Sequence, residues 1–215
     1  MTESASFVPA GADLEALRLA ARSCTGCDLY RNATQTVFGR GRSAARVVFV
    51  GEQPGDVEDK RGEPFVGPAG VLLRRAVGDA GLDPEDLYIT NAVKHFKFRE
   101  SGKRRIHQTP DRVEIMACRP WLLAEFAQLD PKIVVALGAT AGQALLGPSF
   151  RVTKSRGVLM PWPESAYHPE DFAQPGGSAQ VLATLHPSAI LRADDRDTAY
   201  AGLVKDLQVA VAALS

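Results

Sequence analysis

Residues 46–50 read RVVFV, and residues 51–55, directly after them, read GEQPG. Four apolar residues in succession, three of them valine, suit a strand buried on both faces, as in a parallel sheet covered by helices. Glycine and proline then end the strand in a turn. Three more runs have this character: LYITNAV (87–93), KIVVALG (132–138) and QVLATLHP (180–187). Helical patterns separate them. These are GPAGVLLRRAVGDAGL (67–82), a segment from Thr109-Pro110 to about Leu129, and the small-residue stretch ATAGQALLG (139–147). Thr109 is the expected N-cap of the second, with Pro110 in its first turn. DLEALRLAAR (13–22) forms a leading helix and TAYAGLVKDLQVAVAAL (198–214) a final amphipathic one. Strands alternating with helices predict an α/β chain: a three-layer α/β/α sandwich around a central four-stranded parallel sheet. Residues 1–215 read as a single domain, with the Pro- and Gly-rich stretch 161–179 as a surface loop.

The 215 residues are 45% hydrophobic and 23% charged, with 25 basic and 25 acidic side chains. That balance is ordinary for a soluble globular protein, so any attraction for nucleic acid has to be local. No apolar run approaches the ~20 residues that span a bilayer. The first residues, MTESASFVPAGADLE, show no basic-then-apolar secretory pattern, so a cytoplasmic monomer with no membrane partner is expected. Cys24, Cys27 and Cys118 are the only cysteines, an odd number that argues against a disulfide framework. The CxxC pair fits a metal, a cluster or redox chemistry.

Ligands of such sheets bind beyond the carboxyl ends of the strands. Three polar motifs collect there: GEQPG, Asn91 and His186-Pro187-Ser188. In GEQPGDVEDKRGEPFVGPAG (51–70), Gly51 and its neighbours let the backbone approach a ligand, and Glu52, Gln53 and Asp56 supply polar groups. Phe65, set among prolines and glycines, can offer a ring face; a polar turn with a core phenylalanine reads equally well. Asn91 can present a donor and an acceptor to a base edge, or simply close a turn. His186 can donate to a leaving group, or bond within its loop. Ile190 and Leu191 beside Arg192 could form an apolar wedge, or open a packed helix. KHFKFRESGKRRIH (94–107) carries Lys94, Lys97, Arg99, Lys103, Arg104 and Arg105 against Glu100 alone, with Phe96 and Phe98 interleaved. It is a phosphate-contacting strip or a solvated basic loop.

Taken together, GEQPGD, PFVGPAG, TNAVKHFKF, GKRRIH and HPSAILR resemble the uracil-DNA glycosylase superfamily over nearly the whole chain. The resemblance is nearest to its iron–sulfur (family 4) branch and, there, to the group called UdgX. It implies that Phe65 stacks on a flipped uracil, Asn91 reads the base edge, and His186 stabilises the departing base. Gly51, Gln53 and Asp56 complete the substrate pocket. Lys103, Arg104, Arg105, Ser188, Ile190, Leu191 and Arg192 face DNA. Cys24, Cys27 and Cys118 match three ligands of a 4Fe-4S cluster. Where family 4 carries a fourth cysteine this chain has His95, a change UdgX-like proteins share, and imidazole does replace thiolate in some iron–sulfur centres.

The water-activating Asp of the best-known branch is replaced by Gln53, which cannot act as a base. The position of its thymine-blocking tyrosine holds Gly55. An insertion between His95 and Cys118 contains KRRIH. Similarity to UdgX therefore implies uracil excision followed by a stable covalent adduct between His107 and deoxyribose C1′, with Glu52 orienting or deprotonating the imidazole. The implied partner is uracil-containing DNA, single- or double-stranded. Other readings stay open: a multiple-turnover glycosylase using water, a non-catalytic damaged-DNA-binding iron–sulfur protein, or a Cys₃His zinc module.

Overall fold

The computed structural model describes residues 3–162 and 179–214. Its strands are β1 (Arg40–Gly41), β2 (Val47–Gly51), β3 (Leu87–Asn91), β4 (Phe98–Ser101), β5 (Arg104–His107), β6 (Ile133–Leu137), β7 (Leu159–Pro161) and β8 (Gln180–Thr184). Its helices are α1 (Leu14–Ala21), α2 (Asp56–Arg61), α3 (Pro68–Ala80), α4 (Arg112–Gln128), α5 (Gly138–Leu146), α6 (Val152–Ser155), α7 (Pro187–Ile190) and α8 (Arg196–Leu214). Of the expected surface loop 161–179, residues 163–178 lie outside the described residues.

The four apolar runs are β2, β3, β6 and β8, and all are parallel neighbours in the order β3-β2-β6-β8. The sheet has six strands rather than four. β1 adds to β3 and β7 to β8, both antiparallel, as short edges. A two-residue and a three-residue strand are too short to show a pattern in the sequence. Side chains alternate between the two faces. Val48, Val50, Val134, Ala136, Val181 and Ala183 pack against α4 and α5. Val47, Phe49, Ile133, Val135 and Leu182 pack against α3 and α8. Both faces are thus covered, and the three layers follow.

The start of α4 departs from the expected Thr109-Pro110 cap. Asp111 is the N-cap. Its carboxylate accepts from Glu114 N–H at 3.0 Å, while Glu114 accepts from Asp111 N–H at 2.8 Å. This reciprocal box satisfies two otherwise orphaned donors, and a Thr-Pro start offers no such exchange.

One buried polar network joins α4 to the sheet. Glu125 is fully buried and Lys94 is 1% exposed; their Oε2 and Nζ lie 2.5 Å apart. Glu125 also accepts from Gly39 N–H, Tyr88 Oη–H and Thr90 Oγ1–H. Lys94 Nζ further donates to Thr90 Oγ1 and to the Asn91 carbonyl at 2.8 Å. Removing one charge strands the other in the core, at a cost of about 3–5 kcal/mol. Lys94→Met should lose stability on that scale in denaturant unfolding. Adding Glu125→Gln should recover part of it, because the neutral amide oxygen still accepts from Gly39 and Tyr88. Equal losses in the single and double variants would show that the carboxylate does not depend on Lys94.

Candidate functional site

In chain order the four parallel strands run β2, β3, β6, β8, yet β2 lies between β3 and β6. The β2–β3 and β3–β6 connections therefore run in opposite directions across the sheet, and a crevice opens at the carboxyl end of β2. A cavity of about 510 Å³ lies there. Its lining comes from every strand end: Glu52 and Gln53 after β2, Asn91 of β3, Gly138 after β6, His186 after β8.

Phe65 and Asn91 are buried on one side of this cavity. A Cβ on Gly51 would come within 2.3 Å of Asn91 Oδ1 and 2.6 Å of Phe65 Cζ, so only glycine lets ring and amide meet there. Asn91 Oδ1 is buried and has no hydrogen-bond partner among the described residues. Phe65 has a φ of +54°, a conformation costly for a bulky residue and one that concentrates at functional sites. Arg74 holds it by donating to the Phe65 carbonyl at 2.9 Å.

His186 lies across from Phe65, with ring centroids 6.0 Å apart. Its Nδ1 accepts from Ser188 N–H at 3.1 Å and sits 2.8 Å from Ser188 Oγ. Burial pushes the imidazole down to about 4. The ring is therefore neutral at pH 7, and with Nδ1 accepting, its proton is on Nε2. A Cβ on Gly138 would lie 2.9 Å from His186 Cβ, so glycine there admits the histidine.

On the cavity rim, His107 Nε2 is 3.2 Å from Glu52 Oε1. Thr140 Oγ1 donates to the other carboxylate oxygen. Burial alone would raise the Glu52 carboxyl, but hydrogen bonds from His107 and Thr140 outweigh it and hold its pKa below the usual range. Glu52 is thus a carboxylate with one oxygen committed to an imidazole.

The basic stretch is a β-hairpin, β4 pairing with β5, rather than a loop. Its base is clamped by Gln53, whose Nε2 donates to the Lys97 and Gln108 carbonyls and whose Oε1 accepts from Lys97 N–H. The Gln53 amide, expected at the substrate, faces the hairpin. Arg105, expected at DNA, is turned inward. It pairs with Asp56 at 2.5 Å and with the fully buried Asp59 at 2.6 Å, and lies over the rings of Phe96 and Phe98. Asp56, also expected at the substrate, is held by Arg105 and Lys60. Lys94 is in the core network, and Lys97 pairs with Glu114 at 2.7 Å. Arg99, Lys103 and Arg104 remain exposed.

After β8, Ser188 and Arg192 line the cavity. Ile190 is not at an exposed tip: it is 1% exposed and packs in the core with Leu73 and Leu203. Leu191 is half-buried and Arg192 exposed. A four-residue helix, α7, turns Ile190 inward, the packed-helix alternative noted for this segment.

Cys24 and Cys118 are buried, and Cys27 packs beside them with Phe38, Val93 and Trp121. Trp121 Nε1–H donates to Cys24 Sγ and Lys94 N–H to Cys118 Sγ, each at 3.2 Å. Burial pushes the Cys118 thiol up to about 12 and raises that of Cys27, so without a metal both stay protonated. His95 is buried, which drives its imidazole down to about 4 and keeps it neutral, the ligating form. Among the described residues no three His, Cys, Asp or Glu side chains close tightly enough for a single metal ion. The chemistry of the donor set, three sulfurs in one apolar pocket with N–H donors on two of them, fits an iron–sulfur group.

Three site residues escaped the sequence reading. Thr140 sits in a small-residue helix. Arg74 reads as an ordinary exposed helix charge. Glu58 is buried in the cavity wall, where its Oε1 accepts from Gly67 N–H at 2.7 Å. Its Oε2 lies 2.7 Å from where a Gly55 Cβ would stand. None has a spacing that marks it in advance.

Residues 38–208 match the family model described as the Uracil DNA glycosylase superfamily. A Type-4 uracil-DNA glycosylase of Thermotoga maritima is 40% identical over 172 residues, covering 80% of this chain and 79% of its own. Proteins of the same name from Archaeoglobus fulgidus and Pyrobaculum aerophilum are 36% and 34% identical. They cover 79% and 84% of this chain, and 78% and 85% of their own.

The Arg105 pairs fix the strand that carries His107. Arg105→Ala leaves buried Asp59 with only its bonds from Thr34 N–H and Oγ1–H. Hydrogen exchange at the amides of residues 98–107 should quicken at least tenfold, with β2 and β6 unchanged. Unaltered exchange in the hairpin would mean that Gln53 alone holds it.

Proposed function

The chain belongs to the uracil-DNA glycosylase superfamily, and on that premise we propose that it excises uracil from DNA and that His107 then bonds to the sugar. The observation that carries the excision reading is Asn91 Oδ1, a buried acceptor without a partner in a cavity wall beside a strained phenylalanine. A buried polar atom is rarely left unpaired unless a ligand completes it.

The base must leave the stack to be reached, at a cost of a few kcal/mol offset by its contacts in the pocket. Phe65 takes the ring face. Asn91 Oδ1 accepts from uracil N3–H and the amide nitrogen donates to O4. The Glu58 carboxylate, filling the space beside Gly55, is the wall against which a thymine methyl collides. As the C1′–N1 bond breaks, its electron pair leaves with the base, and His186 Nε2–H donates to O2, where that charge collects. The sugar takes on oxocarbenium character. An imidazole lone pair of His107 then bonds to C1′, and the ring proton passes to Glu52, which a 3.2 Å contact with Nε2 supports. Arg99, Lys103, Arg104 and Arg192 are exposed cations suited to phosphate, with single- or double-stranded DNA as the partner.

A water-using glycosylase is the second reading. It is favoured by the Type-4 names of the relatives and by the 49% exposure of the His107 side chain, which leaves water a path. Cys24, Cys27, Cys118 and His95 would hold a 4Fe-4S cluster. When bound, it supplies covalent ties between the segment before α2 and α4, and no acid or base at the cavity.

Two outcomes test this. Wild-type protein mixed with uracil-containing oligonucleotide should give a complex that survives heat and denaturant on a gel, while normal DNA gives none. His107→Ala should abolish it yet still release uracil; repeated turnover by wild type without any such complex establishes the water-using reading instead. Purified protein should be brown, with about four irons and four sulfides per chain. His95→Cys should keep that content and His95→Ala lower it, whereas colourless protein with one zinc contradicts the cluster.

A further inference from the structure

A second cavity, of about 140 Å³, opens beside the first and shares two of its walls, Thr109 and Thr140. Thr109 stands two residues after His107, and Thr140 donates to Glu52. Whatever occupies this hollow is therefore adjacent to whatever reacts in the catalytic cavity. Its sides are apolar: Pro110, Ile115 and Met116 around the start of α4, with Ala144 and Pro148 at the end of α5. Gln143 supplies an amide, and Arg112 is the single charged residue among the described lining.

Apolar side chains and a thioether accept the face of an aromatic ring. One amide can donate to and accept from a base edge. A cation on the rim has the sign that suits the phosphodiester joining two nucleotides. The geometry points to this hollow as a subsite for the base next to uracil in the same strand. The inference rests on reading the first cavity as the uracil pocket.

Occupancy has a consequence for substrate form. A base seated here cannot remain paired, so a duplex must open a second pair that a single strand does not have. The subsite therefore favours single-stranded DNA.

The test uses the full-length, metal-loaded protein in excess over single-stranded uracil oligonucleotides, so that one round of uracil release is read whether or not an adduct follows. In one set the nucleotide on the 5′ or the 3′ side of uracil is replaced by a tetrahydrofuran abasic analogue. For wild type, removing the base on one side should raise the protein concentration at half-maximal rate about tenfold, with little change in the maximal rate. Ala144→Trp, which fills the hollow with an indole, should raise it by a similar factor and become indifferent to the abasic neighbour. Gln143→Ala, which keeps the apolar walls, should give a smaller rise in the same direction. The subsite is wrong if neither abasic neighbour affects wild type, or if the losses from Ala144→Trp and from the missing base multiply. Release of uracil by wild type from the unmodified oligonucleotide is read separately, so failure of the subsite and failure of the glycosylase reading are distinguishable.

Discussion

The Lys94–Glu125 ion pair is the interaction on which the rest of the arrangement hangs. Two opposite charges at the centre of the molecule are tolerated only when each is fully bonded. That requirement fixes four partners from two parts of the chain, Gly39 on one side and Tyr88, Thr90 and the Asn91 carbonyl of β3 on the other, and the pair itself ties the Lys94 segment to α4. The backbone of Asn91 is held from below, so its side chain points without searching. The N–H of Lys94 donates to Cys118 Sγ, and Glu125 lies two turns further along the same helix. The cysteine pocket and the Asn91 wall of the cavity are thus two ends of one rigid connection.

Around this connection the cavity separates its two histidines by environment. His186 is enclosed, neutral and held in one tautomer by Ser188. His107 is half exposed and faces a carboxylate. One imidazole is therefore a fixed Nε2–H donor, while the other has a partner that can take its proton. The same residue type takes two states because burial and one neighbouring oxygen differ.

Much of the fold was legible because buried parallel strands need unbroken apolar runs, and four such runs stand between helical patterns. The edges were not legible: β1 and β7 are defined by their partners rather than by their own residues. The hairpin was missed because charge concealed its period. Arg105 reads as a phosphate ligand in a basic run, yet Asp56 and Asp59, close together in space and some 50 residues away in sequence, turn it inward. Lys94 misled for the same reason, since nothing local announces Glu125. In the cavity, the strand-end residues Glu52, Asn91 and His186 could be named because their place follows from topology. Glu58, Arg74 and Thr140 act through contacts that only the folded chain creates.

The two ends of the hairpin meet at a narrow neck, and Arg105 anchors its second strand to α2. Gln108 N–H donates to the Lys97 carbonyl at 2.9 Å, and Gln53 grips both residues from the side. The two ends of the segment are therefore neighbours before the first hairpin residue is added. A segment so bounded can be lengthened at its tip, beyond the Arg105 anchor to Asp56 and Asp59, without moving the sheet or the cysteine pocket. The architecture separates a cavity built at the strand ends from an arm that brings the His107 imidazole to the rim. A change at the tip of the arm alters what reaches the rim while the strand ends stay in place.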